Sequence, residues 1–262
     1  MNNFEQSISD LDLELFAKIE SQSTESDKRS LLACQLAVRE LCGEYKYLEI
    51  GSYLGGSIQP HLQDIRCTKI FSIDKRPLRQ PDARGFDWTY HNNSTERMIE
   101  NLRGVDAAGI EKVTTIDSST VDLRPEAITE KVQLCLIDGE HTDAAMKRDF
   151  EFCRKVLDPK GGVIAFHDAQ ITYNGIFECI EDLKNEGADF RAYNLPSVLF
   201  VVEIGNMPIH KHPEVMRSLI NNHEGYLFSL RENDRFRRFA NRAPFRTMRN
   251  LYAKMRNGNA SN

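Results

Sequence analysis

The sequence predicts an α/β fold in which a mostly parallel sheet is covered by helices on both faces. Short apolar runs with strand character alternate with amphipathic stretches of helical period, and this order is typical of parallel sheets. The predicted strands also end in polar clusters. Because ligands bind beyond the carboxyl ends of the strands in open parallel sheets, we expect a binding site at that edge.

The individual elements have local start and stop signals. A helical period over 27–42 can be capped by Ser26 or Asp27 and stopped by Gly43. Further helices are predicted from near Ser94, over 142–157 and over 174–186. The predicted strands are 47–50, 69–73, 113–116, 132–137 and 163–166. The pair 190–194 and 198–203 flanks a Leu-Pro-Ser turn, which predicts an antiparallel hairpin.

The composition fits a soluble α/β protein. The chain has 262 residues, 40% of them hydrophobic, and a net charge of -5, which suits one large domain with or without an appendage. The six cysteines have no metal-type spacing, so we expect reduced core thiols. The first twenty residues lack a basic segment before an apolar run, and no apolar run approaches about 18 residues. The sequence therefore predicts a cytoplasmic protein without a signal peptide or membrane span.

A glycine-containing turn follows the first predicted strand, in the segment YLEIGSYLGGS. Gly51, Gly55 and Gly56 can bring backbone N–H groups close to a ligand. Asp74, 23 residues after Gly51, ends the next strand, where a carboxylate can accept hydrogen bonds from ribose hydroxyls. The spacing is E-x-G-x-x-x-G-x-S from Glu49, which is not the dinucleotide pattern. The alternative is an ordinary tight strand–helix turn in another α/β protein.

Four segments carry a family resemblance. EIGSYLGGS, FSID and IDSS, in this order, resemble the class I S-adenosylmethionine-dependent methyltransferases. The run LIDGEHTDAAMKRDFEFCRKVLDPKGGVIAFHD is similar to their small-molecule O-methyltransferase branch, which includes catechol-, caffeoyl-CoA- and macrocin-type enzymes. The resemblance covers about residues 30–205. It implies a Rossmann-like, doubly wound sheet of seven strands, mostly parallel with an antiparallel last strand.

The resemblance also implies a cofactor site for S-adenosyl-L-methionine. Glu49, Gly51 and Gly55 would hold the methionine part, Asp74 the ribose, and Asp117 with Ser118 the adenine. The complete predicted cofactor-binding set is Glu49, Gly51, Ser52, Tyr53, Gly55, Ser57, Asp74, Lys75, Asp117, Ser118 and Asp138.

In metal-dependent members of that branch, an acid ends the fourth strand and two ligands end the fifth. The corresponding residues here are Asp138, His167 and Asp168, and a divalent cation there would orient an acceptor hydroxyl. His141 occupies the position of the base, and Asp138 is predicted to act with it in catalysis. His167 stands where an all-oxygen site has an acid, which favours Mn²⁺, Fe²⁺ or Zn²⁺ over Mg²⁺. Two alternatives stay open: Asp138 caps the following helix beside a solvated His141, or the acids orient the acceptor without a metal.

Other residues near these segments have less defined roles. Tyr173 and Asn174 follow His167-Asp168 and could line an acceptor pocket, and Trp88 is either a lid or a packing residue. His91-Asn92-Asn93 is interpreted as a polar loop before the helix at Ser94.

The last part of the chain is basic. Residues 231–256 contain nine Lys/Arg against Glu232 and Asp234, a local net charge of +7. Pro244 splits this stretch into two predicted short helices, the second with Met248, Tyr252 and Met255 on one face. The predicted organisation is a helical extension over 1–25, a methyltransferase domain over 26–207 and a basic helical extension over 208–262. The basic stretch is interpreted as an amphipathic helix with a solvated face, with a peripheral anionic contact as the alternative.

The sequence thus predicts an S-adenosylmethionine-dependent O-methyltransferase that acts on a small-molecule hydroxyl, such as a sugar, glycan or natural product. No nucleic-acid partner is expected, and a homo-oligomer stays open. Two other functions remain: a nucleotide-binding oxidoreductase or hydroxylase-like enzyme with the same fold, and a non-catalytic cofactor-binding module with a basic partner-binding tail.

Overall fold

The predicted strands come together in one large sheet. The computed structural model describes residues 3–82, 87–219, 221–240, 242–245 and 247–248. Within these residues the strands are β1 (Tyr45–Ile50), β2 (Cys67–Ile73), β3 (Arg79–Pro81), β4 (Asp87–Thr89), β5 (Val113–Ile116), β6 (Leu134–Ile137), β7 (Gly161–Phe166), β8 (Phe190–Asn194), β9 (Phe200–Gly205) and β10 (Asn221–Asn222).

The sheet has the order β10-β8-β9-β7-β6-β1-β2-β5. Strands β7, β6, β1, β2 and β5 pair in parallel, and β9 is antiparallel to both of its neighbours. The predicted Rossmann-like sheet of seven strands with an antiparallel last strand is confirmed, and so is the hairpin β8–β9. The two-residue strand β10 adds an eighth member at the edge, and β3 and β4 form a separate hairpin.

Helices cover both faces of the sheet. They are α1 (Asn3–Ser9), α2 (Glu25–Cys42), α3 (Gln59–Gln63), α4 (Thr95–Val105), α5 (Asp143–Val156), α6 (Tyr173–Asn185), α7 (Pro213–Ser218) and α8 (His223–Ala240). One core cluster joins α2, α3 and α4 to alternate residues of the strands, such as Val163 and Ala165 of β7. On the opposite face, Phe150 of α5 packs against Phe166, with ring centroids 5.7 Å apart. Because successive strand residues point to opposite faces, both faces of β7 are buried in apolar contacts.

The start of α2 differs from the prediction. The helix begins at Glu25, and its N-cap is Thr24 rather than Ser26 or Asp27. Thr24 and Asp27 form a reciprocal capping box, in which each side chain accepts a hydrogen bond from the other residue's backbone N–H. Asp27 is therefore the third residue of the helix, and its side chain is buried.

The first residues pack against the domain. Phe4, Ile8, Leu15 and Phe16 form an apolar cluster with the α2 side chains. Arg39 of α2, only 2% exposed, also pairs with Glu5 (2.6 Å) and with the buried Asp64 (2.9 Å). The contact with Glu5 fixes α1 on α2. The buried contact with Asp64, which ends α3, needs such close geometry to offset desolvation and fixes α2 against α3.

The chain divides into two compact units, one up to His223 and the other from Glu224. The domain limits 1–25, 26–207 and 208–262 stay a prediction. In the second unit the helix α8 is one element of 18 residues, with exposed Phe228 and Phe239. Tyr252 and Met255 of the second predicted basic helix lie outside the described residues. In the part of the chain that the structure describes, no helix is long and apolar enough to cross a membrane.

All six cysteines are free, and five of them are buried, in agreement with the expected core thiols.

Candidate functional site

The carboxyl ends of β1, β6 and β7 meet where the strand order reverses. The residues that follow these strands are Gly51, Asp138 and His167. The Asp138 backbone N–H donates to the Ile50 carbonyl (2.8 Å), and the His167 N–H donates to the Ile137 carbonyl (3.0 Å). A cavity of about 520 Å³ opens beyond these ends, within the size range of small-molecule sites.

Gly51 lies against the backbone of the neighbouring strand end. Its φ is +91°, and a Cβ there would lie 2.1 Å from the Asp138 carbonyl oxygen. Glycine is therefore needed both for the left-handed conformation and for the close approach. The following turn holds Tyr53 at a φ of 42°, and its N–H donates to the Asp74 carboxylate (2.9 Å). The glycine turn and the acid at the end of β2 are thus joined directly.

Only some of the predicted cofactor residues line this cavity. Gly51, Tyr53, Asp74 and Asp138 line the cavity. Glu49, Ser52, Gly55 and Ser57 are not among the lining residues that the structure describes. Their roles toward a cofactor stay predictions.

Glu49 is fully buried behind the turn. Its carboxylate accepts hydrogen bonds from the hydroxyls of Tyr47 (2.6 Å) and Ser57 (2.5 Å). Burial raises the pKa of Glu49 to about 7, and the two hydroxyl donors partly oppose that shift. Glu49 therefore stabilises the glycine turn through the hydrogen bond that it accepts from Ser57.

A smaller cleft lies on the other side of Asp74. Its described lining residues include Lys75, Ser118, Glu140 and the buried Asp149. Lys75 pairs with Glu140 (2.8 Å), which links the ends of β2 and β6. Burial raises the pKa of Asp149 to about 6. Of the predicted adenine pair, Ser118 lines this cleft.

Asp117, the other residue of that pair, is exposed and accepts a hydrogen bond from Thr95 (2.5 Å).

Two acids and a histidine form the cluster that was predicted as a metal site. One ligand atom from each of Asp138, His167 and Asp168 lies within 4.8 Å of the others. His167 Nδ1 lies 3.1 Å from Asp138 Oδ1 and 3.5 Å from Asp168 Oδ2. Both ring nitrogens of His167 are buried and make no hydrogen bond of acceptable geometry. Asp168 has a φ of 52°, an uncommon conformation for aspartate that turns this residue at the strand end.

The charges in this cluster stabilise one another. Burial raises the pKa of Asp138, but His167 and His141 more than offset this effect and hold that pKa below its ordinary value. The pKa of His167 is raised in turn, because Asp138, Asp168 and Asp27 outweigh its burial.

His141 lies at the mouth of the same cluster. Its Nε2 is 3.4 Å from Asp168 Oδ2 and 3.9 Å from Asp138 Oδ1, and its Nδ1 is 3.8 Å from Asp82 Oδ2. The side chain is 13% exposed, so the ring can reach a ligand in the cavity. Thr142, rather than Asp138, caps α5, with its side chain accepting from the Ala145 N–H. The structure therefore contradicts the alternative in which Asp138 is only a helix cap.

Asp27 belongs to the site, although the sequence suggested only a helix cap. Besides closing the capping box, its carboxylate accepts from the Val198 N–H (3.1 Å) and lies 3.7 Å from His167 Nε2. Burial raises its pKa, but His167, Thr24 and the Val198 N–H together lower it to about 2. Local spacing shows the capping box, but it cannot show the contact with His167.

The hairpin β3–β4 contributes further residues that the sequence did not assign. Gln80, Trp88 and Tyr90 line the cavity, and Asn93 lines it although it was interpreted as part of a polar loop. Trp88 Nε1 donates to Asp82 (3.1 Å). Tyr173 and Asn174, which were expected near an acceptor, are not among the described lining residues.

A glycine turn after β1 and an acid after β2, on a mostly parallel sheet, agree with the arrangement that the resemblance implied. Residues 48–169 match the family model described as a methyltransferase domain. The resemblance to S-adenosylmethionine-dependent methyltransferases is confirmed, and the domain implies S-adenosylmethionine as its cofactor.

Solved structures agree on the fold. The O-methyltransferase NovP is 15% identical, with a TM-score of 0.53, and the alignment covers 67% of this chain and 79% of NovP. The calicheamicin methyltransferase CalS11 is 14% identical, with a TM-score of 0.50, over 79% of this chain and 94% of CalS11. Its apo structure, described as a TDP-rhamnose 3'-O-methyltransferase, gives the same identity and TM-score over 77% and 94% of the two chains. No curated protein sequence matches this chain.

Proposed function

We propose that this protein transfers a methyl group from S-adenosylmethionine to a hydroxyl oxygen of a small molecule, with a sugar or another natural product as acceptor. One observation carries the proposal: a single cavity is lined by Gly51 and Asp74 on the cofactor side and by His141, Asp138 and Asp168 beside it. NovP is an O-methyltransferase and CalS11 is described as a TDP-rhamnose 3'-O-methyltransferase, which supports oxygen as the methylated atom and a sugar as the acceptor.

The chain's own residues have distinct roles in the proposed reaction. S-Adenosylmethionine, when bound, would supply a methyl carbon that the acceptor oxygen can attack, with S-adenosylhomocysteine as the leaving group. Gly51 and Asp74 place the donor beyond β1 and β2. His141 takes the proton from the acceptor hydroxyl at a ring nitrogen, and Asp138 with Asp168 stabilises the imidazolium that forms. Positioning and proton removal are the contributions expected of this site.

The donor set fits a divalent metal. His167 has two buried ring nitrogens without a hydrogen bond, and Asp138 and Asp168 supply carboxylate oxygens beside it. One imidazole and two carboxylates suit Mn²⁺, Fe²⁺ or Zn²⁺ better than Mg²⁺. Such an ion would lower the pKa of an acceptor hydroxyl bound beside it. The proposal therefore assigns Asp138, His167 and Asp168 as its ligands.

Cofactor choice tests the proposed function. In titration calorimetry with the full chain, we expect S-adenosylmethionine and S-adenosylhomocysteine to bind, and NAD to bind at least tenfold more weakly. Transfer of the labelled methyl group to an acceptor hydroxyl, followed by mass spectrometry, checks the reaction. Preferential binding of NAD would favour the oxidoreductase alternative. Cofactor binding with no transfer to any acceptor would favour the non-catalytic module.

Metal use is tested with Mn²⁺. We expect the chelated protein to bind one Mn²⁺ per chain in calorimetry or electron paramagnetic resonance, and to lose most of its methyl transfer until metal is restored. Asp168→Asn should weaken Mn²⁺ binding by roughly 10-fold or more, because it removes a charged ligand. Asp122→Asn, at an exposed turn outside the cavity, is the matched control. Full turnover after chelation, or equal effects of the two variants, would contradict a metal role.

A further inference from the structure

The cavity that contains His141 is rich in negative charge. Four carboxylates line it, and its described lining residues include neither lysine nor arginine. The lining carboxylates are those of Asp27, Asp74, Asp138 and Asp168. A divalent cation bound by Asp138 and Asp168 would neutralise those two. Asp27 and Asp74 remain, and part of their charge is offset by Arg76, 3.4 Å from Asp74, and by the lining residue His141 when it is protonated.

Tyr90 lies in the same cavity, near three of these carboxylates. Burial raises the pKa of its hydroxyl to about 12, and the carboxylates of Asp138, Asp168 and Asp74 add to the increase. A negative surrounding opposes the loss of a proton and favours a cationic group. The same field would repel a phosphate or carboxylate on a ligand.

Aromatic rings form part of the same cavity. Tyr53 and Tyr90 lie edge to face, with ring centroids 5.2 Å apart. Trp88 is 45% exposed and donates its indole N–H to Asp82, which holds the ring in place. Aromatic faces beside carboxylates are the combination that binds ammonium groups, through cation–π and ionic contacts together.

An unsatisfied group in the cavity also points to a ligand. The His167 side chain is only 8% exposed, lines the cavity, and has no hydrogen-bond partner on either ring nitrogen. Because buried polar atoms are nearly always paired in folded proteins, a bound group is expected at this wall, and the proposed metal ion is the group that His167 would contact. The acidic and aromatic lining therefore belongs to a site built for a ligand.

We propose that the acceptor carries a protonated amine in addition to the hydroxyl that is methylated, as an amino sugar does. The inference rests on the proposed function and narrows it to one substrate class. The amine contacts the wall formed by Tyr53, Trp88 and Tyr90 and the neighbouring carboxylates. Sugars that carry a phosphate or a nucleoside diphosphate are expected to bind more weakly, so the TDP-sugar acceptor described for CalS11 is not carried over to this chain.

Four simple sugars test the charge preference. The full chain, saturated with S-adenosylhomocysteine, is titrated with methyl 2-amino-2-deoxyglucoside, its N-acetyl derivative, methyl glucoside and glucose 1-phosphate. We expect the free amine to bind at least tenfold more tightly than the two uncharged sugars, and the phosphate to bind more weakly than either. Equal binding of amine and N-acetyl sugar, tighter binding of the phosphate, or no binding of any of the four would overturn the inference.

A matched pair of variants at Gln22 tests whether the charge of the wall causes the preference. Gln22 is exposed and lines the cavity, so either charge can be introduced there without disturbing the core. Gln22→Lys should weaken binding of the amino sugar by roughly threefold or more, as expected for one partly screened charge, and leave methyl glucoside unchanged. Gln22→Glu should not weaken binding of the amino sugar. Equal changes for both sugars, or no change in Gln22→Lys, would contradict a charge effect.

The two proposals fail in different ways. Loss of S-adenosylmethionine binding, or methyl transfer to nitrogen or carbon instead of oxygen, would contradict the proposed function. A preference for uncharged or phosphorylated acceptors, with O-methylation intact, would contradict only the amine inference.

Discussion

Replacing His141 with alanine is expected to lower kcat by roughly 10²–10⁴-fold, the usual contribution of a positioned general base. The ring lies beside Asp138 and Asp168 at the cavity, so its loss removes the group proposed to take the proton of the acceptor hydroxyl. The Kd for S-adenosylmethionine should change by less than about threefold, because Gly51 and Asp74, and not His141, are the residues proposed to hold the donor. Steady-state kinetics and titration calorimetry measure the two effects separately.

The pH profile gives a second check on His141. Burial lowers the pKa of this histidine, but Asp138, Asp168 and Asp82 more than offset the effect, so the pKa is raised above its ordinary value. A base must be neutral to accept a proton, so kcat/KM should rise with pH through that raised pKa. This rise of kcat/KM with pH should be absent in His141→Ala.

The matched control for His141 is His212→Ala, because His212 pairs with Glu40 outside the cavity. That variant should keep wild-type kinetics. Wild-type turnover in His141→Ala would remove this residue from the mechanism.

Gly51→Ala is expected to abolish cofactor binding, with a loss of at least roughly 100-fold in affinity. The added Cβ would lie 2.1 Å from the Asp138 carbonyl oxygen, and the φ of +91° is itself unfavourable for alanine by about 1–2 kcal/mol. The strand ends of β1 and β6 must separate to make room, which moves the turn that precedes Tyr53. Calorimetry with S-adenosylmethionine and thermal unfolding check both consequences.

Gly43→Ala is the control that separates strain from collision. Gly43 has a similar φ of +77°, but a Cβ there would meet nothing within 4 Å. We expect this variant to lose about 1–2 kcal/mol of stability and to bind the cofactor normally. If Gly51→Ala bound the cofactor as well as Gly43→Ala does, the close approach of β1 and β6 would have no functional role.

Local sequence patterns predicted the elements well where each boundary has its own signal. Strand β5 covers 113–116 and β8 covers 190–194, as predicted, because polar residues or turns bound both segments. The start of α2 was wrong by two residues, since Thr24, Ser26 and Asp27 are all good caps and only the backbone path selects Thr24. The number of strands came from the family resemblance, and the antiparallel hairpin was also predicted from the turn between 190–194 and 198–203. The strand order was not predicted.

The candidate site was predictable where it lies at strand ends. Gly51, Asp74, Asp138 and His167 all follow apolar strands, and the parallel sheet brings such ends together. Asp27 was not predictable in this way, because its partner Val198 is 171 positions further along the chain. The same holds for Trp88 and Tyr90, which reach the cavity through a hairpin whose path no local pattern specifies.

The capping box of α2 has a consequence for how this domain can be divided. The segment that matches the methyltransferase model, 48–169, contains the strand ends but neither Asp27 nor Val198. Asp27 lines the cavity and also belongs to the capping box of α2. A substitution of Asp27 that keeps the helix stable would therefore still alter the surroundings of His167. A fragment limited to 48–169 would contain the strand-end residues of the site but lack Asp27 and Val198, which also line the cavity. The smallest transferable unit of this protein is therefore larger than its recognisable motif.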